Sequence, residues 1–196
     1  MSPQVQAIVL AAGSSSRMGR IKQLLPLPDR PAVRRCVEGL LTGGVSGIIV
    51  VVAPGIPVAA AVQDLPVRIV CNDDPASDMA GSVRIGLAAA GPRGSILVCP
   101  ADHALVTSGT IAAILAEGVR APDRIIIPSF RGRHGHPTLF PRAIIDRLAS
   151  GGTLRDIIAG HGDAVTRVDV DDEGTVLDMD TEADYERMRR RLEAKP

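Results

Sequence analysis

The run Ala7-Ile-Val-Leu10, followed by Ala-Ala-Gly13-Ser-Ser-Ser-Arg17-Met-Gly-Arg20-Ile-Lys22, restricts the fold of this chain more than any other stretch. Consecutive apolar residues of strand length read as a buried strand, the kind that lies inside a parallel sheet. At Gly13 the run breaks into a small, hydroxyl-rich loop that carries three cationic side chains. Small residues let backbone N–H groups approach an anion closely, and a loop leaving a parallel strand gathers such groups into a concave nest. The loop therefore predicts a polyphosphate site at the edge of an α/β domain.

The rest of the chain repeats the alternation of apolar strand-length runs with helix-like segments that marks a mostly parallel sheet covered on both faces. Strands are expected over 6–10, 47–52, 67–71, 95–99, 124–128, 165–170 and 176–179. Helices are expected from Pro31 to about 43, over 58–63, 82–90, 108–117 with Ser108 as its N-cap, 141–148, 154–159 and 181–192. Thr181 and Asp184 fit a capping box for the last of these. Residues 130–140 change texture and read as a hairpin returning to the sheet, and Asp171-Asp-Glu173 reads as a solvated turn. The 196 residues suit one domain, 1–196, without repeats or linkers.

Composition excludes several functions. Lys and Arg together number 22, as do Asp and Glu, so no global field draws nucleic acid or an anionic membrane. With no Trp, one Tyr and two Phe, the core must be aliphatic, and stacking platforms for single-stranded nucleic acid are lacking. Cys36, Cys71 and Cys99 form no C-x-x-C pair and read as reduced core residues. The N-terminus shows no basic leader and no run reaches membrane-spanning length, so a cytoplasmic protein is expected.

Two familiar phosphate loops fail on spacing. G-x-x-x-x-G-K-[ST] needs four residues between its glycines, and five separate Gly13 from Gly19; G-x-G-x-x-G fails at Ser14-Ser15. Lysine usage sharpens what remains. Only Lys22 and Lys195 stand against 20 arginines, so a lysine in this loop marks a site wanting a compact, mobile point charge. Asp102 lies just past the carboxyl end of the strand over 95–99, where a carboxylate facing a bound polyphosphate could hold Mg²⁺; it is also good turn chemistry. Asp178 and Asp180, two apart on an expected strand, would share a face, and one of them could add a second oxygen; Asp180 could equally start the last helix. His134 and His136 lack the partners of a zinc site, and a substrate-contacting loop is the better reading. Asn72, Gly81, Ser82 and Arg84 flank a loop before a helix and could read a base or an anion, or serve as turn and cap.

Together these motifs resemble the MobA-like nucleotidyltransferases. Leu10-Ala-Ala-Gly-x-Ser-x-Arg-Met-Gly-x-x-Lys-x-Leu-Leu-Pro-Leu, Asp78-Met-x-x-Ser-Val-Arg-x-Gly-Leu87, Gly135-His-Pro with Leu139-Phe140, and Asp178-Met-Asp-Thr-Glu-Ala-Asp-Tyr185 carry the likeness in order along the chain, with the molybdenum cofactor cytidylyltransferases as the nearest branch. The resemblance implies a three-layer α/β/α domain with a mostly parallel, Rossmann-like sheet of the nucleotidyltransferase (glycosyltransferase-A-like) type. It implies Mg²⁺-dependent transfer of a nucleotidyl group from an NTP to the phosphate of a molybdopterin-type acceptor, with release of pyrophosphate. Arg17, Lys22 and Asp102 would be catalytic; Leu10, Ala11, Ala12, Gly13, Ser14, Arg17, Lys22, Asn72, Gly81 and Ser82 would bind the nucleotide. His136 would lie near the acceptor, and Asp102 with Asp180 or Asp178 would hold the metal. Ala11-Ala12-Gly13, in place of Ala-Gly-Gly, leans toward CTP over GTP. A molybdoenzyme or its chaperone is the implied protein partner. A transferase for a sugar or alcohol phosphate, and a non-catalytic carrier of nucleotide or pterin, are the competing readings.

Overall fold

The computed structural model describes residues 4–13, 18–74 and 76–194. Its strands are β1 (Val5–Ala11), β2 (Gly47–Val52), β3 (Val67–Cys71), β4 (Ser95–Pro100), β5 (Ile125–Phe130), β6 (Arg133–His134), β7 (Thr138–Pro141) and β8 (Val165–Asp169). Its α-helices are α1 (Ala32–Thr42), α2 (Met79–Ala89), α3 (Ser108–Arg120), α4 (Arg142–Ile145), α5 (Leu154–Gly160) and α6 (Glu182–Glu193).

The strands form one sheet in the order β3-β2-β1-β4-β7-β5-β6, with β8 also paired to β5. The pairings of β1 with β2, β1 with β4, β2 with β3 and β5 with β8 are parallel; β7 runs antiparallel between β4 and β5. Period-two alternation divides the apolar side chains between two faces. Ala7, Val9 and Ala11 of β1, Ile48 and Val50 of β2, and Leu97 and Cys99 of β4 pack with α1 and α3. Ile8, Ile49, Val51, Ile96 and Val98 face the other way, onto α2, α4 and α5. Helix α2 reaches the sheet closely because Gly86 has no side chain: a Cβ there would lie 2.5 Å from Ile8 Cγ2.

Helix starts are decided by side-chain caps. The helix expected from Ser82 begins a turn earlier, at Met79, because the Asp78 carboxylate accepts from Gly81 N. The cap of α3 is Thr107 and not Ser108, its hydroxyl accepting from Thr110 N. Thr181 and Asp184 form the expected capping box of α6. The segment over 58–63 yields only a 3-10 turn, Ala59–Ala61, and 141–148 divides into α4 and a 3-10 turn.

Two expectations near the C-terminus are corrected. No strand forms over 176–179; a 3-10 turn covers Glu173–Val176, and residues 177–180 run without regular structure. Asp171-Asp-Glu173 is not a solvated turn. Asp172 is buried and accepts from Thr107 N (2.8 Å), Thr107 Oγ1 (2.9 Å), Thr110 Oγ1 (2.7 Å) and Gly174 N (3.0 Å), tying the turn to the start of α3. Glu173 pairs with Arg187 and Arg191 of α6. The cysteines also divide: Cys36 and Cys99 are buried with sulfurs 3.5 Å apart, whereas Cys71 is exposed.

A third apolar cluster locates the functional edge. Leu25, Leu27 and Ala32, which follow the first loop, pack on Met179, Tyr185 and Met188. Tyr185 OH donates to the Pro26 carbonyl at 3.0 Å. Arg20 turns outward to Glu182 at 2.6 Å and lies over the Tyr185 ring. Helix α6 thereby braces the segment leaving β1.

Candidate active site

β1, β2, β3 and β4 end at the same edge of the sheet, with Leu10 level with Pro100 and Ala11 with Val52. Strand order reverses between β1 and β4, and ligands of open α/β sheets bind at such a switch point. A cleft of about 660 Å³ opens there. Because β7 runs antiparallel, the residues just before it, Gly135-His136, reach this same edge.

The first wall is the loop after β1. Gln23, buried, donates from Nε2 to the Gly13 carbonyl at 3.0 Å and fixes how the loop leaves the strand. Lys22 opens a 3-10 turn, Lys22–Leu24, which sets its backbone. Its ammonium lies 2.6 Å from Asp102 Oδ2 and 2.8 Å from Asp180 Oδ1. Asp102 sits on the turn after β4, where Ala101 N donates to the Leu10 carbonyl and His103 N to Pro100. Asp180 directly precedes the N-cap of α6. Three segments far apart in sequence therefore converge on one ammonium. The Lys22 side chain is 14% exposed, Asp102 16% and Asp180 38%, so the cluster is sheltered on the Asp102 side and open to the cleft on the Asp180 side. Burial alone would lower the Lys22 pKa, but the two carboxylates outweigh it and raise the value, keeping the lysine charged.

The opposite wall is the start of α2. Asn72, at the end of β3, donates from Nδ2 to Ser82 Oγ at 2.9 Å and accepts from Asp74 N through Oδ1. Both Asn72 and Ser82 line the cleft. Met79, 53% exposed, lines its mouth together with Pro54 and Ile56. The third wall is histidine: the rings of His103 and His136 lie 4.9 Å apart, and each Nδ1 is buried without a hydrogen-bond partner among the described residues. Burial holds His136 neutral, with a pKa down to about 4; the neighbouring His103 pushes the same way, and Asp102 opposes it only partly. Gly135 is required beside it, because a Cβ would fall 2.4 Å from the Thr175 carbonyl.

Of the residues expected from sequence, Leu10, Ala12, Gly13, Lys22, Asn72, Ser82, Asp102, His136, Asp178 and Asp180 line this cleft. Ala11 is buried in the sheet core, and Gly81 lies in the capped first turn of α2 outside the lining. His134 is exposed on β6. Ser14 and Arg17 lie outside the described residues. Gln23, His103 and Met79 were not singled out by sequence reasoning. Gln23 is a buried amide next to Lys22 and His103 is next to Asp102, but no spacing rule distinguishes either from its neighbours.

Asp102 and Asp180 fit a hard divalent cation. Two carboxylates face one point, already compensated by a positive charge, and Asp102 Oδ1 is buried with no partner among the described residues. No group of three His, Cys, Asp or Glu among the described residues is placed to hold a metal unaided. That suits an ion shared between one or two carboxylates and the oxygens of a phosphate ligand.

Residues 7–165 match the model of the MobA-like NTP transferase domain. The chain belongs to the MobA-like NTP transferase family. Over 157 residues it is 31% identical to the "Probable molybdenum cofactor guanylyltransferase" of Mycobacterium avium, covering 77% of this chain and 78% of that one. Over 131 residues it is 40% identical to the 2-C-methyl-D-erythritol 4-phosphate cytidylyltransferase of Nocardia farcinica, covering 64% of this chain. The match spans 55% of that cytidylyltransferase's length. Among solved structures, Rv0371c of Mycobacterium tuberculosis superposes with a TM-score of 0.84 at 27% identity, covering 97% of this chain and 99% of that one. A complex of Rv0371c with manganese superposes with a TM-score of 0.80 at 26% identity, covering 97% of this chain and 100% of that one. The MobA-like fold is thus the mostly parallel three-layer architecture, and among the described residues no helix is long and apolar enough to cross a membrane.

Proposed function

We propose that the chain transfers a cytidylyl group from CTP, in preference to GTP, to the phosphate of a molybdopterin-type acceptor, releasing pyrophosphate. The observation that carries the catalytic part is the meeting of Lys22, Asp102 and Asp180 at the switch-point cleft. In this reading Gly13 lets the backbone approach the triphosphate, and Arg17 and Lys22 neutralise its charge. Asn72 and Ser82 flank the nucleoside. The neutral His136 faces the acceptor as a hydrogen-bonding group that adds no charge. Mg²⁺ held by Asp102 with Asp180 or Asp178 would stabilise charge on the phosphate oxygens. An acceptor phosphate is already ionised and nucleophilic at neutral pH, so the residues need only align it and offset charge at the α-phosphate.

The preference for CTP is supported by Ala11-Ala12-Gly13 and by the likeness to a relative named for cytidylyl transfer; the molybdopterin acceptor is supported by the likeness to one named for the molybdenum cofactor. The first of these relatives is named for an alcohol phosphate, which favours such an acceptor as the second reading.

The test is pyrophosphate release from each of the four NTPs with Mg²⁺, using molybdopterin and 2-C-methyl-D-erythritol 4-phosphate as acceptors, on wild type and Lys22→Ala. Release from CTP with molybdopterin, lost in Lys22→Ala, is expected. Faster turnover of GTP would overturn the base assignment, and turnover with the alcohol phosphate alone would overturn the acceptor. Nucleotide binding without pyrophosphate from any pair would make the protein a carrier.

A further inference from the structure

Lys22 occupies the point at which two carboxylates converge. Its Nζ touches Asp102 Oδ2 at 2.6 Å and Asp180 Oδ1 at 2.8 Å. A divalent ion bound by those two oxygens would sit about 2.1–2.5 Å from each. It would draw on the same two oxygens as the ammonium, and two cations so close repel. Each therefore weakens the other's hold on the pair. We propose that Lys22 is a stand-in for the divalent cation: it neutralises Asp102 and Asp180 when no metal is bound, and yields them when the metal arrives. It then turns toward the phosphate oxygens that accompany the ion. This inference rests on the reading of the cleft as a metal-dependent nucleotidyltransferase centre.

Three further observations support exchange over a fixed ion pair. The backbone of Lys22 is anchored, with Leu25 N donating to its carbonyl at 3.2 Å and its neighbour Gln23 clamped to Gly13, so only the side chain need move. The residue is one of two lysines in a chain with 20 arginines. A guanidinium would grip a carboxylate through two parallel bonds, whereas an ammonium on a flexible four-carbon stem is a point charge that can change partners. Asp180 opens to the cleft, so an incoming ion can reach the exchange point, and Asp102 Oδ1 is buried with no hydrogen-bond partner among the described residues.

Exchange has a thermodynamic consequence. Metal alone must displace the lysine and binds weakly; metal arriving with a triphosphate gives the lysine a new partner, so each ligand raises the affinity for the other. An internal competitor lowers apparent affinity by the fraction of time it leaves the site free.

The test is Mn²⁺ binding without nucleotide, followed by the electron paramagnetic resonance signal of the free ion. The proteins are wild type, Lys22→Met, Asp102→Asn and the double variant. Lys22→Met should bind Mn²⁺ about ten-fold more tightly than wild type, and Asp102→Asn should remove that gain. Because deleting a charge strengthens cation binding through the field alone, a second measurement on unaltered protein decides the mechanism. Lysine labelled with ¹³C at Cε gives two resonances, and saturating Mg²⁺ should move that of Lys22 and leave that of Lys195 in place. An unmoved Lys22 resonance at saturation, or an affinity unchanged or weakened in Lys22→Met, overturns the exchange. If Asp102→Asn still abolishes Mn²⁺ binding in that case, the metal site itself stands. Mn²⁺ binding indifferent to Asp102→Asn in every protein overturns both.

Discussion

His136 offers a prediction whose sign and size follow from its surroundings. In the folded protein its ring is desolvated beside His103, and its pKa falls from 6.5 to about 4. The unfolded chain therefore binds a proton in the interval between those values that the folded chain does not. Stability is then fully present above the unfolded value and is lost as pH falls through the interval toward the folded value. Each pKa unit is worth about 1.4 kcal/mol, so the whole shift amounts to about 3 kcal/mol, of which about 2 kcal/mol is spent between about pH 7 and about pH 5. The perturbation is His136→Gln, which keeps a polar side chain but cannot titrate. Urea unfolding of wild type and variant across that range reads the His136 contribution together with its coupling to His103 and Asp102, because ionisable groups away from His136 contribute equally to both and cancel in the difference. The wild type should lose about 2 kcal/mol more than the variant on acidification. Parallel loss in the two proteins would show that His136 is protonated as readily folded as unfolded, and the neutral acceptor-facing imidazole would fall with it.

Two other outcomes test the scaffold. Asp172→Ala leaves Thr107 N, Thr107 Oγ1, Thr110 Oγ1 and Gly174 N without their shared acceptor, and should cost about 3 kcal/mol in urea unfolding; a loss under about 1 kcal/mol would return this turn to the solvated reading. An aromatic disulfide reagent should label one thiol, Cys71, in folded protein and all three after denaturation. Cys71 should react slowly for an exposed thiol, since its hydrogen bond with the Asp73 carboxylate raises its pKa. Native-rate labelling of Cys36 or Cys99 would refute the packing around α1 and β4.

The fold was legible where burial on two faces left a continuous aliphatic run. The strands over 47–52 and 67–71 were read to the residue, because β-branched stretches between polar turns admit few alternatives. It was not legible where a cap overrides periodicity. The start of α2 is set by the Asp78 carboxylate on Gly81 N, a contact that a hydrophobic pattern does not contain. The carboxylates at 178 and 180 were placed on a strand that does not form, yet both reach the cleft. What brings them there is packing of Met179 between them into the Leu25, Leu27 and Tyr185 cluster, a tertiary contact invisible in the local alternation. Lys22 was conspicuous because lysine is scarce. Its partners were separately conspicuous as acids near strand or helix ends, but that one ammonium joins them required the topology.

That topology also explains why one end of the chain governs chemistry at the other. Asp180 has no strand to hold it; its position derives from Met179 buried before it and the Thr181–Asp184 capping box after it. The helix so capped is fastened in turn by Tyr185 to the Pro26 carbonyl and by Glu182 to Arg20, both in the segment that carries Lys22. Lysine and aspartate are thus set by the same packed cluster, and a shift of α6 would move Asp180 and the support beneath Lys22 together. Asp102 sits on the turn after β4, held at one end by the Leu10 carbonyl, and the same turn enters the C-terminal cluster through Ala104 and Leu105. Sheet edge and C-terminal brace are therefore packed together beneath the site, and the ammonium joins their carboxylates above that packing. A cation able to change partners there lets the metal site open by a side-chain movement alone.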